Sequence, residues 1–360
     1  MIKFLLGGSP CTNWSIAQNT KNRETTASGE GWELFLNYVI AKERFKPDFF
    51  LYENNKSAAN PIKEQIGVEL GVPLQYINSA LVSAQKRERF YCHNFGDVPQ
   101  PEDRGIILQD ILETGAIADA EKFECLRATY YKSGKRNFEK KITDRMGYQG
   151  VPVRLGNFPN QKGETKGSQA MRIYSHLGKS VNLTANGGGA GAKTGLYAIP
   201  SDLANGHKPV YRVKGGQIEI NDRLHPINLP DGFYIIRKLS VTEAARLQTM
   251  PDDYCRVVSD TQAYKGLGNG WTAEVIIHLL AHALRGVPKN EEIVVLSMYD
   301  GIGTGRYCFD KLGYHNITYY AYEIDRPAIT VAMSNYSDIK QCGDAYLVRG
   351  AGWNIKGAIA

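Results

Sequence analysis

The sequence predicts an α/β protein: an open sheet whose strands end in ligand-holding turns, joined to a smaller, loop-rich β domain. Three observations predict it. Short apolar runs such as Ile2–Leu6 and Ile293–Met298 stop at glycine-rich turns, as buried strands do where they deliver loops to the carboxyl edge of a sheet. Between such runs, apolar residues recur at helical spacing, as in Trp32, Phe35, Leu36, Val39 and Ile40. From about Glu121 to Ile236 that periodicity gives way to short segments split by glycine, with lysines and tyrosines interleaved. The expected division is therefore a core of residues 1–120 and 237–360, with a separate domain at 121–236.

A chain of 360 residues with 42% apolar content has room for a large domain with a proper core and a smaller one beside it. Its net charge of +6 and pI near 8.8 lean toward a polyanionic partner, a lean shared by many proteins that never meet nucleic acid. Six cysteines, at 11, 92, 125, 255, 308 and 342, show neither paired metal spacing nor a dense disulfide framework, so a reducing compartment is expected. Met1-Ile2-Lys3-Phe4 runs directly into a strand, which leaves no space for a secretory leader. The longest apolar run, Val275–Leu284, is interrupted by His278 and His282 and is too short to span a bilayer. A soluble, intracellular protein with no membrane partner is the expectation.

Taken in order, Ile2–Leu6 reads as a buried strand, and Gly7 and Gly8 let the backbone turn sharply at its end. Pro10 fixes φ and removes a donor just before Cys11, so the thiol is presented from a stiff turn ahead of a polar loop. Most lone cysteines are small buried hydrophobes, and the Pro10-Cys11 pair by itself leaves that the better reading, although a nucleophile would fit the turn. The helix begun by Trp32 ends near Phe45, before Pro47. Phe49–Tyr52 is again a short strand, and it brings Glu53 and Asn54 to the same sheet edge as Cys11, where a desolvated carboxylate is suited to hold or give a proton. Asn60-Pro61 opens a helix with a cap and a first-turn proline, closed by Gly71. Strand Leu74–Asn78 then leads to the charged run Gln85-Lys86-Arg87-Glu88-Arg89.

In the β domain, the basic and aromatic cluster Tyr130, Tyr131, Lys132, Lys135, Arg136, Lys140 and Lys141 suits phosphate contacts and stacking on nucleic acid, although solubilising lysines look the same. The glycines of Asn186-Gly187-Gly188-Gly189 would let backbone approach base edges, and Gln169 and Arg172 are residue types suited to reading them. After the domain, Ser240 and Glu243 form a capping box at the start of a helix. His278 and His282 lie four apart but lack a third ligand or an intervening Glu, so no metal is expected. Ile293–Met298 leads into Asp300-Gly301-Ile302-Gly303-Thr304-Gly305 and a helix from Arg306 to Leu312. The third glycine of a dinucleotide fingerprint is missing, which weakens a nicotinamide reading. Strand Ile317–Tyr322 ends in Glu323, where an acid would grip ribose hydroxyls, so a nucleoside-bearing ligand is expected.

Several of these stretches resemble the motifs of one family, the DNA cytosine-5 methyltransferases. Gly7-Gly8-Ser9-Pro10-Cys11-Thr12-Asn13-Trp14-Ser15 resembles the catalytic-cysteine motif, Glu53-Asn54 the acid that follows it, and Gln85-x-Arg87-x-Arg89 the arginine motif. Ser168–Tyr174 and Leu183–Gly189 are similar to the two recognition loops, and Arg237–Gln248 to the hinge helix. Gly268-Asn269-Gly270-Trp271 stands where the family has a Gly-Asn-Ser-Val type of motif, and its Gly-Trp departs from that form. The resemblance implies a Rossmann-like S-adenosylmethionine-dependent methyltransferase core with a small β target-recognition domain. It implies methyl transfer from S-adenosyl-L-methionine to carbon 5 of a flipped-out cytosine in double-stranded DNA. Cys11 would add to the base, Glu53 would meet N3, and Asn54, Arg87 and Arg89 would orient the ring, with Arg89 at the cytosine carbonyl. Tyr299, Asp300, Gly301, Gly303, Gly305, Glu323, Ile324, Asp344, Asn269 and Trp271 would surround the methyl donor. Ser15, Gln169, Arg172, Thr184, Asn186, Gly187 and Gly188 would meet the DNA. The family's usual members carry the cofactor motifs first; here they come last, so the chain is expected to be circularly permuted. A monomer in the cytoplasm of a bacterial or phage-infected cell is expected. An RNA cytosine-5 methyltransferase and a catalytically silent DNA-binding relative are the alternatives.

Overall fold

The structure is a computed structural model that describes residues 1–15, 22–113, 154–159, 169–183, 195–201 and 210–355. In chain order its strands are β1 (Ile2–Gly7), β2 (Phe49–Asn55), β3 (Gln75–Asn78) and β4 (Glu88–His93), then β5 (Arg154–Asn157), β6 (Arg172–Ser175), β7 (Leu196–Pro200), β8 (Val210–Lys214), β9 (Gln217–Ile220), β10 (Arg223–Pro226) and β11 (Gly232–Arg237), and last β12 (Ile293–Met298), β13 (Ile317–Tyr322) and β14 (Lys340–Gly343). The helices are α1 (Glu30–Phe45), α2 (Asn60–Leu70), α3 (Leu108–Ile111), α4 (Val241–Leu247), α5 (Asp260–Asn269), α6 (Ala273–Ala283), α7 (Thr304–Lys311) and α8 (Arg326–Asn335).

β1 owes its apolar run Phe4–Leu6 to burial on both faces. Phe4 and Leu6 enter a core with Leu279, Leu280 and Phe309, whereas Leu5, pointing the other way, packs with Phe35, Tyr38 and Ile62. The strand lies near the middle of a seven-stranded sheet ordered β14-β13-β12-β1-β2-β4-β3. The run from β14 to β2 is parallel, and β4 is antiparallel to both β2 and β3. Register aligns the strand ends: Gly7 stands opposite both Met298 and Tyr52, and Met298 opposite Tyr322. The residues next along β1, β2, β12 and β13 therefore leave, or continue past, one common edge.

The second seven-stranded sheet, ordered β10-β9-β8-β11-β7-β6-β5, is antiparallel except for the β6–β7 pair. Alternation again gives it two faces. Ile173, Tyr234 and Ile236 share a core with Ile218 and Ile220, while Tyr174 and Ile235 join Leu108, Leu112, Leu239 and Leu247, which seats this sheet on the first unit.

The capping box is present at α4: the Glu243 N–H donates to Ser240 Oγ at 3.1 Å and the Ser240 N–H donates back to Glu243 Oε2 at 2.8 Å. At α2 the expectation needs correction. Ala59 occupies the capping position and Asn60 is already helical, with no side-chain cap. The helix starts on its early proline and on the burial of Ile62, Ile66 and Leu70, and Gly71 closes it at φ 71° as expected.

Candidate active site

The two glycines after β1 are required by close approach. A Cβ on Gly8 would lie 2.6 Å from the Glu53 carbonyl oxygen, and one on Gly7 would lie 2.9 Å from that of Met298. The chain then turns at Cys11, whose carbonyl accepts the N–H groups of Trp14 and Ser15 at 3.1 and 2.9 Å. Below the turn, Asn54 Nδ2 donates to the Ser9 carbonyl and to Tyr52 Oη, each at 3.0 Å. The Asn54 amide thus fastens the Pro10-Cys11 segment to β2. Trp14 is fully buried, and its indole N–H donates to Glu24 Oε2 at 3.0 Å, anchoring the far side of the turn.

Glu53 is buried beside this turn. Arg89 Nε forms an ion pair with its Oε1 at 2.9 Å, and Trp271 Nε1 donates to its Oε2 at 3.0 Å. Arg87 points elsewhere: it donates to Asn182 Oδ1, the Leu183 carbonyl and the carbonyls of Gly268 and Gly270, at 2.7–3.2 Å. It acts on the site by holding the turn before Trp271. Burial pushes the Cys11 thiol above its ordinary range, while the Arg89 and Arg87 charges pull it back and Glu53 adds to the rise.

Beyond β12 the backbone itself builds the cradle. Tyr299, Gly301 and Gly303 take φ of 60°, 66° and 80°. A left-handed tyrosine costs on the order of 1 kcal/mol; its hydroxyl donates to the Leu34 carbonyl at 2.7 Å and accepts from Asn37 Nδ2 at 3.1 Å. A Cβ at Gly301 would meet no atom within 4 Å, so this turn faces open space, whereas one at Gly303 would stand 3.1 Å from Ala332 Cβ. Glu323 Oε2 accepts the Gly301 N–H at 2.9 Å, and its Oε1 accepts those of Ile324 and Asp325 at 2.7 and 2.8 Å. Ile324 is exposed, and Asp344, also exposed, accepts the Tyr346 N–H at 2.9 Å. Below the turn, burial pushes the Asp300 carboxyl up to about 6 against the hydrogen bond from the Tyr319 hydroxyl, and its Oδ2 has no partner. An open glycine turn, a strand-end carboxylate and an exposed apolar side chain suit a nucleoside: hydroxyls for the acid, a flat ring for the isoleucine.

Residues 1–284 match the family described as C-5 cytosine-specific DNA methylase. The chain belongs to that family. It is similar to type II methyltransferase M.NgoFVII of Neisseria gonorrhoeae, 24% identical over 309 residues that cover 81% of this chain and 72% of the relative. It is also similar to type II methyltransferase M.HhaI of Haemophilus parahaemolyticus, 27% identical over 302 residues covering 78% and 73%. The orphan methyltransferase M.Rho11sI of Bacillus phage rho11s is 25% identical over 274 residues covering 64% and 52%. The methylase transfers a methyl group from S-adenosyl-L-methionine to carbon 5 of cytosine in DNA.

The remaining residues singled out from the sequence divide in two. Ser15 sits at the base of the methylase's cysteine turn, Asn269 is the exposed last residue of α5, and Arg172 opens β6 opposite Asn157. Gln169 begins the short 3-10 turn Gln169–Met171. Thr184, Asn186, Gly187 and Gly188 lie outside the described residues, as does the basic and aromatic cluster at 130–141. Sequence reasoning missed Lys179, whose buried Nζ donates to the carbonyls of Ala80 and Ser83 at 2.8 and 2.9 Å and to that of Ile106. It also missed Glu24. No spacing in the sequence marks either residue. Among the described residues, no helix is long and apolar enough to cross a membrane, and no three His, Cys, Asp or Glu side chains gather as a metal site would need.

Proposed function

We propose that the methylase acts on a cytosine extruded from duplex DNA through a covalent bond from Cys11 to carbon 6. The observation that carries this reading is the register of β1 with its two neighbours, since it directs the Cys11 turn, Glu53 and the Tyr299–Gly305 turn to one sheet edge. Carbon 5 of cytosine is a poor nucleophile until carbon 6 has been attacked. As the Cys11 sulfur bonds to carbon 6, a π-electron pair of the ring moves toward N3, where Glu53 holds or supplies a proton. Arg89 keeps the Glu53 carboxylate in place and is the residue we assign to the cytosine carbonyl. The donor would be held by Tyr299, Gly301, Gly303, Glu323, Ile324 and Asp344, with Asp300 and Gly305 shaping the turn from below. When bound, S-adenosyl-L-methionine supplies an electrophilic methyl group. Loss of the carbon 5 proton then lets the ring expel the Cys11 sulfur and recover its aromaticity.

We assign target recognition to residues 121–236 and catalysis to 1–120 with 237–360. The second sheet, with its own apolar core, supports that division. A permuted order is supported by β12 to β14, which come after the region matched by the family yet extend the sheet from β1, with β12 paired directly to it. Because one chain supplies both pockets, we take the working unit as a monomer, and bacterial or phage DNA as its substrate in the cytoplasm. Duplex DNA carrying 5-fluorocytosine tests the reading, because fluorine blocks the last elimination. With S-adenosylmethionine present, a stable adduct should form and map by mass to Cys11, and matched RNA should give none. An adduct on another residue, or none in protein shown to bind both DNA and donor, defeats it.

A further inference from the structure

Trp271 stands where the chain departs from the family's Gly-Asn-Ser-Val form, and its side chain reaches Glu53. The backbone that carries it is fixed from several directions. Arg87 Nη2 donates to the carbonyls of Gly268 and Gly270 at 3.1 and 2.7 Å, Gln248 Nε2 donates to that of Leu267 at 2.6 Å, and Thr272 Oγ1 donates to Gln248 Oε1 at 2.9 Å. A Cβ on Gly270 would lie 3.1 Å from the Gly266 carbonyl oxygen, so the turn also packs closely on α5. From this platform the half-buried indole, packed on the core beneath it, directs its N–H to Glu53 Oε2 at 3.0 Å.

A terminal carboxylate torsion is broad, so one hydrogen bond does not fix the plane of the group. Arg89 alone would leave Glu53 held through Oε1 only. An indole has a single N–H and accepts nothing, so its contact is one-way and holds the carboxylate as an acceptor. With the Arg89 ion pair at Oε1 and the indole N–H at Oε2, the carboxylate is gripped at both oxygens and its plane is set. We propose that Trp271 is a positioning residue for methyl transfer, its indole N–H fixing the plane of the Glu53 carboxylate. The proposal rests on the assignment of Glu53 to the reacting base.

The test is a double-mutant cycle on the full-length protein, with kcat and KM measured on duplex DNA using radiolabelled S-adenosylmethionine, and with single-turnover rates for slow variants. Trp271→Phe should lower kcat about tenfold, the size expected for one hydrogen bond to a charged group, with both KM values within about twofold of wild type. Benzothienylalanine at 271 keeps the ring's shape and removes only the N–H; it should match Trp271→Phe, and it serves if the phenylalanine variant folds poorly. Glu53→Gln should lower kcat roughly a hundredfold. Adding Trp271→Phe to Glu53→Gln should change kcat less than about twofold, because the two residues act as a unit. Independent losses in the double variant, full kcat in the isostere, or a rise in the KM for S-adenosylmethionine at unchanged kcat would each overturn the proposal. Full turnover in Glu53→Gln is a separate failure, which removes the role of Glu53 itself.

Discussion

The two halves of the active site are built from different materials. Around Cys11 the work falls to side chains drawn from distant parts of the chain: Arg89 and Trp271 meet at Glu53, and Asn54 reaches across to the Ser9 carbonyl. Around Gly301 it falls to backbone, with three left-handed residues within five positions and Glu323 accepting three main-chain N–H groups. A side-chain site fails at the chemistry when one group is lost, because the partner left behind is buried and charged. A backbone site fails by degrees, in geometry and donor affinity.

The sharpest break in this comparison is Cys11→Ser, which should reduce methyl transfer more than about a thousandfold, a hydroxyl being far less nucleophilic than a thiol. Isothermal titration should show S-adenosylmethionine still binding within about threefold of wild type, since nothing in the donor turn has changed. A second measurement addresses the raised titration of the thiol. With a folded-state pKa above that of a free thiol, less thiolate exists at pH 8, so Cys11 should alkylate with iodoacetamide more slowly than free cysteine, with the gap closing as pH rises. Peptide mapping separates Cys11 from the buried Cys92, Cys255, Cys308 and Cys342.

On the backbone side, Gly303→Ala and Gly301→Ala divide strain from contact. Both force alanine into a left-handed φ, at about 1 kcal/mol, but only position 303 adds a close approach to Ala332. Gly303→Ala should therefore be less stable to unfolding than Gly301→Ala by about 1 kcal/mol or more, and reversal of that order would mean that the donor turn is not held against α8.

The effect at Asp300 differs from the others in depending on pH. Its folded-state pKa of about 6 lies above the ordinary carboxylate value, so the native state binds the extra proton. Stability from this group is greatest below about pH 4 and falls as pH rises through 6, where ionising the buried carboxyl costs up to about 3 kcal/mol. Asp300→Asn keeps an acceptor for the Tyr319 hydroxyl and removes that cost. It should raise the melting temperature at pH 8 by a few degrees and have little effect at pH 4.

The same contrast decides how much of the molecule is legible in its sequence. β1 and β12 are visible as apolar runs because both faces of each are buried, and the capping box of α4 is visible because Ser240 and Glu243 lie three apart. The donor turn is local, so its glycines stand close to one another in the sequence. The hydrogen bond from Trp271 to Glu53 joins residues 218 positions apart, and no periodicity encodes it. Lys179 is hidden for the same reason, a charged side chain satisfied by carbonyls of two other segments. At Asn60 residue type points to a cap, but the chain enters α2 one residue earlier, at Ala59.

The place of β1 in the sheet also matters while the chain is being made. Its neighbour β12 pairs Ile2 with Ile293, so during synthesis the first strand emerges from the ribosome long before that partner exists. At about 5–20 residues per second the wait lasts tens of seconds, with one edge of an apolar strand open to other nascent chains. Yield in cells should therefore respond to chaperone supply and growth temperature more than the stability of the finished enzyme would suggest.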